Sequence, residues 1–185
     1  MRMRSVVPLR LFAVLAALTL ALAGSVVSAQ IADAAPGAGY SMKAGKNGGV
    51  AGWVSRDVLD NRFEKLPPKV QKALAGVPRK GAVQMRSAFK CQYDVCLNVE
   101  GEDLIVDRWE TTAEQLGSMA CTSAFFEYRV PGGNAVFYEG QFLCPTAADG
   151  VFYDTTGPTG YFPDGTELCN TWDNKSGRPC AEVHD

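Results

Sequence analysis

Six cysteines, Cys91, Cys96, Cys121, Cys144, Cys169 and Cys180, crowd the second half of a 185-residue chain that opens on an apolar leader. Arg2, Arg4 and Arg10 precede the uncharged run Leu11 to Ala23, which Gly24 and Ser25 break before Val27-Ser28-Ala29. A basic start, a short apolar run and small residues at a cut site describe a secretory signal peptide, with cleavage expected after Ala29. The run spans only about 20 Å as a helix, short of a hydrocarbon core near 30 Å, so the mature chain is expected to carry no transmembrane segment. In an oxidising compartment an even cysteine count reads as three disulfides. Zinc is the competing reading, but the chain has no Cys-x-x-Cys and a single histidine, His184. Once all six cysteines pair, no thiol remains for nucleophilic catalysis.

Pairing is partly legible. Cys169 and Cys180 bracket Asp173, Asn174, Gly177 and Pro179, a stretch too polar to order itself by burial. A bridge there contributes about 2–3 kcal/mol through the unfolded state, which makes it the first choice. Cys91–Cys96, closing a tight turn, is the second.

The net charge of −2 hides two opposed halves. Residues 41–90 hold 11 Lys or Arg against 3 acids, whereas residues 91–185 hold 16 acids against 4 bases. Every cysteine falls in the acidic half. This divides the chain into a signal peptide (1–29), a flexible Ala- and Gly-rich lead-in (30–54), a basic helical segment (55–80) and a disulfide-bonded β domain (81–185). On this division a fragment starting near Gly81 should fold alone.

Within the basic segment, Ser55 is placed to cap a helix in which Val58, Leu59, Phe63 and Leu66 recur at helical spacing. Pro67-Pro68 ends it and Pro68 suits the first turn of another, whose stripe is Val70, Ala73, Leu74 and Val77. After Gly81 the pattern turns to short extended runs between turn residues. Val83 to Lys90 is a weak strand, and Val95, Leu97 and Val99 alternate with polar partners. Thr111-Thr112-Ala113-Glu114 resembles a capping box and predicts one helical turn. Pro131-Gly132-Gly133 between two strand-like runs is the strongest hairpin signal. Pairing positions that sum to 264 sets Tyr128 opposite Val136 and Phe126 opposite Tyr138, keeping apolar groups on one face. A sum of 265 sets Cys121 opposite Cys144 but mixes the faces. The facial pattern favours 264, and a bulge would reconcile the two.

No residue set assembles a recognisable catalytic motif. His184 sits one residue from the C-terminus, a poor place for a rigid base. Asp107, Glu110 and Glu114 near Trp109, and Asp154, Asp164 and Glu167 near Tyr153, Tyr161 and Phe162, offer carboxylates, but glycoside hydrolysis needs a fixed pair with different protonation. Asp149, Asp154, Asp164 and Glu167 are weak calcium candidates that depart from the EF-hand loop. Trp109, Tyr153, Tyr161 and Trp172, set among acids and amides, are weak candidates for an aromatic binding face, although aromatics in a small β domain more often fill its core. Nothing implies a cofactor.

The expected fold is mostly β: a small disulfide-stabilised antiparallel domain, sandwich- or barrel-like, preceded by a short basic helical segment. The leader and cysteine usage have the style of small bacterial exported proteins, placing the chain outside the cell or on its wall. The expected function is a non-catalytic extracellular binding, inhibitory or surface-associated module, with a secreted hydrolase using paired carboxylates as the alternative. Expected partners are an extracellular protein or an anionic polymer, and Ser55 to Val77 is expected to dock on the chain's own acidic domain.

Overall fold

Short alternating runs cannot bury themselves singly, and here they do so by antiparallel pairing. The computed structural model describes residues 39–185 apart from 46, 78 and 80–87. The leader, its cleavage site and the beginning of the lead-in lie outside the described residues, as does most of the weak strand from Val83. The elements are β1 (Tyr40–Ala44), β2 (Val50–Ser55), α1 (Arg56–Asn61), α2 (Pro68–Ala73), β3 (Ala88–Gln92), β4 (Val95–Glu102), β5 (Ile105–Gln115), β6 (Thr122–Arg129), β7 (Ala135–Leu143), β8 (Gly150–Asp154), β9 (Gly160–Tyr161), β10 (Glu167–Trp172) and β11 (Cys180–Glu182). One sheet runs β1-β2-β8-β5-β4-β3 with β9 added on β5, and the other runs β11-β10-β6-β7. No helix among the described residues is long and apolar enough to cross a membrane.

The two sheets face each other across one core. Trp53, Trp109, Leu97 and Phe152 come from the first sheet and Phe126, Leu143, Leu168 and Trp172 from the second. Two buried indoles pin the sheets together reciprocally. Trp109 Nε1 donates to Asn170 Oδ1 at 2.7 Å, and Trp172 Nε1 donates to Thr111 Oγ1 at 2.9 Å. Each bond removes the penalty of burying an N–H without an acceptor.

A third layer covers the opposite face of the first sheet. Val58, Leu59, Leu66, Val70, Ala73, Leu74 and Val77 pack with Val50, Val54, Val151 and Tyr153. Ser55 caps α1 by accepting from Val58 N, and Pro68 opens α2. Each helix is six residues, shorter than the sequence pattern suggested and too short to persist without that packing. Arg56 adds an ion pair to Glu114 of β5 at 2.7 Å.

Two local expectations are corrected. Much of the supposed flexible lead-in is strand, because β2 pairs with both β1 and β8. Val50-Ala51-Gly52-Trp53-Val54 is buried on both faces, so it shows no alternation to read. The capping-box turn at Thr111 to Glu114 is instead the middle of β5, paired with β4 and β8. Ladder bonds on both sides outweigh a local helix-start preference.

All three disulfides cross adjacent strands. Cys91–Cys96 joins β3 to β4, Cys169–Cys180 joins β10 to β11, and Cys121–Cys144 closes the open end of the β6–β7 hairpin. Each tethers partners already opposed, with Cα atoms 4.0–4.1 Å apart. The hairpin uses both registers. Tyr128 faces Val136 and Phe126 faces Tyr138, but Ser123 faces Phe142 and Thr122 faces Leu143. A bulge sets Ala124 against Gly140 and Gln141 and shifts the pairing by one residue.

Candidate functional site

The weak binding and calcium candidates are dispersed. Trp109, Tyr153 and Trp172 are buried, and Tyr153 Oη donates to Ser41 O at 3.0 Å. Of the four aromatics only Tyr161 reaches solvent, so they form no common face. Asp149 accepts from Gly117 N just before β8, whereas Asp154 ends the same strand about 16 Å away at ~3.3 Å per residue. Asp164 lies 3.5 Å from His184 Nδ1, and Glu167 lies 3.7 Å from Arg178. These carboxylates do not converge on one ion. Glu167, Cys169 and Cys180 come together, but both sulfurs are spent in a disulfide.

The carboxylates near Trp109 are likewise divided. Glu114 pairs with Arg56, while Glu110 and Glu100 share the guanidinium of Arg108. Glu100 takes both oxygens onto Arg108 Nη1, at 3.0 and 2.8 Å. Glu110 also accepts from Asn98 Nδ2 at 3.1 Å. Burial pushes the Glu110 carboxyl up, against the pull of Arg108. Asp154 is fully buried at the β7 bulge and accepts from Gln141 N, Thr156 N and Thr156 Oγ1. Burial raises it too, with the Thr156 and Gln141 bonds opposing.

A carboxyl that holds its proton more tightly when folded adds stability in acid. That contribution is full below the unfolded value, near 4, and is lost as pH rises through the raised folded value. Urea midpoints between about pH 4 and about pH 7 should therefore contain a falling component that Glu110→Gln reduces. An unchanged profile in the variant would overturn this.

The surface feature that sequence reading missed is β7. It pairs with β6 alone and so forms a sheet edge. Phe137 and Phe142, 62% and 60% exposed, share the outer face with Glu139, while Val136 and Tyr138 are exposed toward the other face. Tyr138 stacks on Tyr128 with ring centroids 6.1 Å apart. The two halves of the edge differ. In the second half Gln141 N is taken by Asp154 and Phe142 O accepts from Lys43 Nζ at 2.8 Å. The first half, Ala135 to Glu139, has no such cover among the described residues. The 264 register keeps Val136 and Tyr138 on the apolar face and sets Phe137 opposite Glu127, and that misplaced aromatic is the signal the sequence offers.

The fold and its surface thus define an antiparallel, disulfide-bridged β sandwich with a helical layer on one sheet. Comparison with protein-family models, curated proteins and solved structures finds no match.

Proposed function

We propose that the chain is a secreted, non-catalytic binding module that takes a segment of an extracellular protein by strand addition along the first half of β7. The observation that carries this reading is an uncovered edge bearing Val136, Phe137 and Tyr138. Exposed apolar edge strands pair readily with other chains, and soluble proteins usually blunt them with charge, proline or a bulge. An added strand gains main-chain hydrogen bonds, while side chains at alternate positions set which segment fits. Three disulfides suit the oxidising surroundings that export implies.

The hydrolase alternative rests on Asp107 and Glu110, which line one cleft. Glu110 has both oxygens against Arg108, so it is poorly placed to pass a proton into that cleft. Binding remains the better reading.

The test is a photo-crosslinker placed at Phe137, with the same group at exposed Tyr93 as control, in the extracellular fraction of the producing cells. A discrete adduct at 137, absent at 93 and abolished by Val136→Lys, is expected. Identical adducts at both positions, or none at 137, would overturn strand addition.

A further inference from the structure

A second, polar feature lies away from β7. The β1–β2 turn, α2, the β5 bulge and the chain after β8 enclose an open cleft of about 250 Å³. The register shift between Glu100 and Gly101 leaves Asp107 unpaired on β5 and brings it, with Arg108 and Glu110, to the cleft wall. Lys69 and Lys72, one turn apart on the exposed side of α2, line the cleft as well. Asn47, Thr155 and Thr159, with Gly48, Gly49 and Gly157, complete a lining with no aromatic among the described residues.

The charges in this cleft fall into two groups. Arg108 is consumed by Glu100 and Glu110, and it also donates to Lys72 O at 3.1 Å, so it fixes the wall to α2. Lys69 has only a long bond to Gly48 O, at 3.5 Å, and the Lys72 ammonium and the Asp107 carboxylate have no partner among the described residues. Among the described lining residues, Lys69, Lys72 and Arg108 stand against Asp107 and Glu110, and the two ammoniums and the Asp107 carboxylate are the groups outside the Arg108 cluster. Two adjacent ammoniums suit a carboxylate or phosphate, while Asp107, Asn47 and Thr159 suit hydroxyl groups. Val50 is the one large apolar group in the lining, so an apolar peptide side chain finds no seat.

We propose that this cleft binds an acidic polyol, a sugar or polyol unit carrying a carboxylate or phosphate, with the acid on Lys69 and Lys72 and its hydroxyls toward Asp107, Asn47 and Thr159. The site is independent of β7, and a chain carrying Val136→Lys keeps it.

Calorimetry of the chain from Gln30 onward tests this with three probes of similar length: galacturonate oligomers, glycerol-phosphate oligomers and neutral dextran. At least one acidic probe should bind and dextran should not, and the pair of acidic probes tells carboxylate from phosphate. Lys69→Gln with Lys72→Gln should weaken binding about tenfold or more, because two charge-assisted contacts go. Lys65→Gln with Lys90→Gln, exposed cations outside the cleft, should leave it within about twofold at matched salt. Absence of binding to both acidic probes, or equal losses from the two double variants, would overturn the site and leave diffuse charge attraction at most.

Discussion

A chain cut to begin at Gly81 is expected to show no cooperative unfolding transition, even with its three disulfides formed. The charge change near Lys90 does not divide the first sheet, which takes β1 and β2 from one side of it and β4, β5 and β8 from the other. Residues 50–77 supply Trp53, whose ring lies 4.8 Å from Phe152 at a tilt in the main core, and nine members of the second apolar cluster. Their loss strips β8 of its β2 partner and exposes Val151 and Tyr153. A buried Val, Leu or Phe side chain contributes about 1.5–3 kcal/mol, against a total stability of about 5–15 kcal/mol for a domain. The deficit exceeds what cross-strand bridges restore. Urea titration followed by tryptophan fluorescence checks the expectation, since Trp109 and Trp172 remain in the fragment. A sharp transition with native emission would restore the helices to the status of an appendage.

Asp154→Asn is expected to destabilise the full chain by about 2–4 kcal/mol. In the native fold Oδ2 accepts from Gln141 N at 2.9 Å, while Oδ1 accepts from Thr156 N at 2.8 Å and Thr156 Oγ1 at 2.5 Å. Three donors converge on one carboxylate, and a carboxamide has a single accepting oxygen. Whichever way it turns, its NH₂ meets a buried donor. The bulge that this carboxylate anchors is also closely fitted, since a Cβ on Gly140 would overlap Asp154 Oδ2. Equilibrium urea unfolding of wild type and variant measures the loss, with the slope unchanged if the unfolded state is the same. A difference under about 0.5 kcal/mol would show that the bulge does not depend on the second accepting oxygen.

The β6–β7 hairpin shows how far local reading reaches. Pro131-Gly132-Gly133 marks the turn because Gly132 takes φ of 71°, which glycine adopts without strain. Facial alternation gives the register near the turn, and cysteine opposition gives it at the other end. Joining them requires a bulge, and the bulge needs Asp154 from another strand to satisfy Gln141 N. No spacing within the hairpin contains that partner.

The candidate interfaces follow the same division. Lys69 and Lys72 are visible in the sequence as part of a basic segment, but not as neighbours of Asp107 and Asn47. Trp109 and Trp172 leave a binding face and a core place both open in the sequence, and burial beside Asn170 and Thr111 decides for the core. Phe142 falls on the apolar face in the register read near the turn, until the bulge carries it to the outer face beside Phe137.

What the chain determines by itself is what acts within a few residues: the Ser55 cap, the Pro68 helix start, the glycine turn, the alternating strands, and a cysteine count that demands pairing. Tertiary structure alone decided that β2 is buried on both faces, which sheet face the basic helices cover, and which charges remain unpaired. Capping, turn geometry and alternation are set by bonds between neighbours in sequence. Burial and charge pairing depend on which distant strand comes to lie alongside, and that is settled only when the two sheets and the helical layer close on one another.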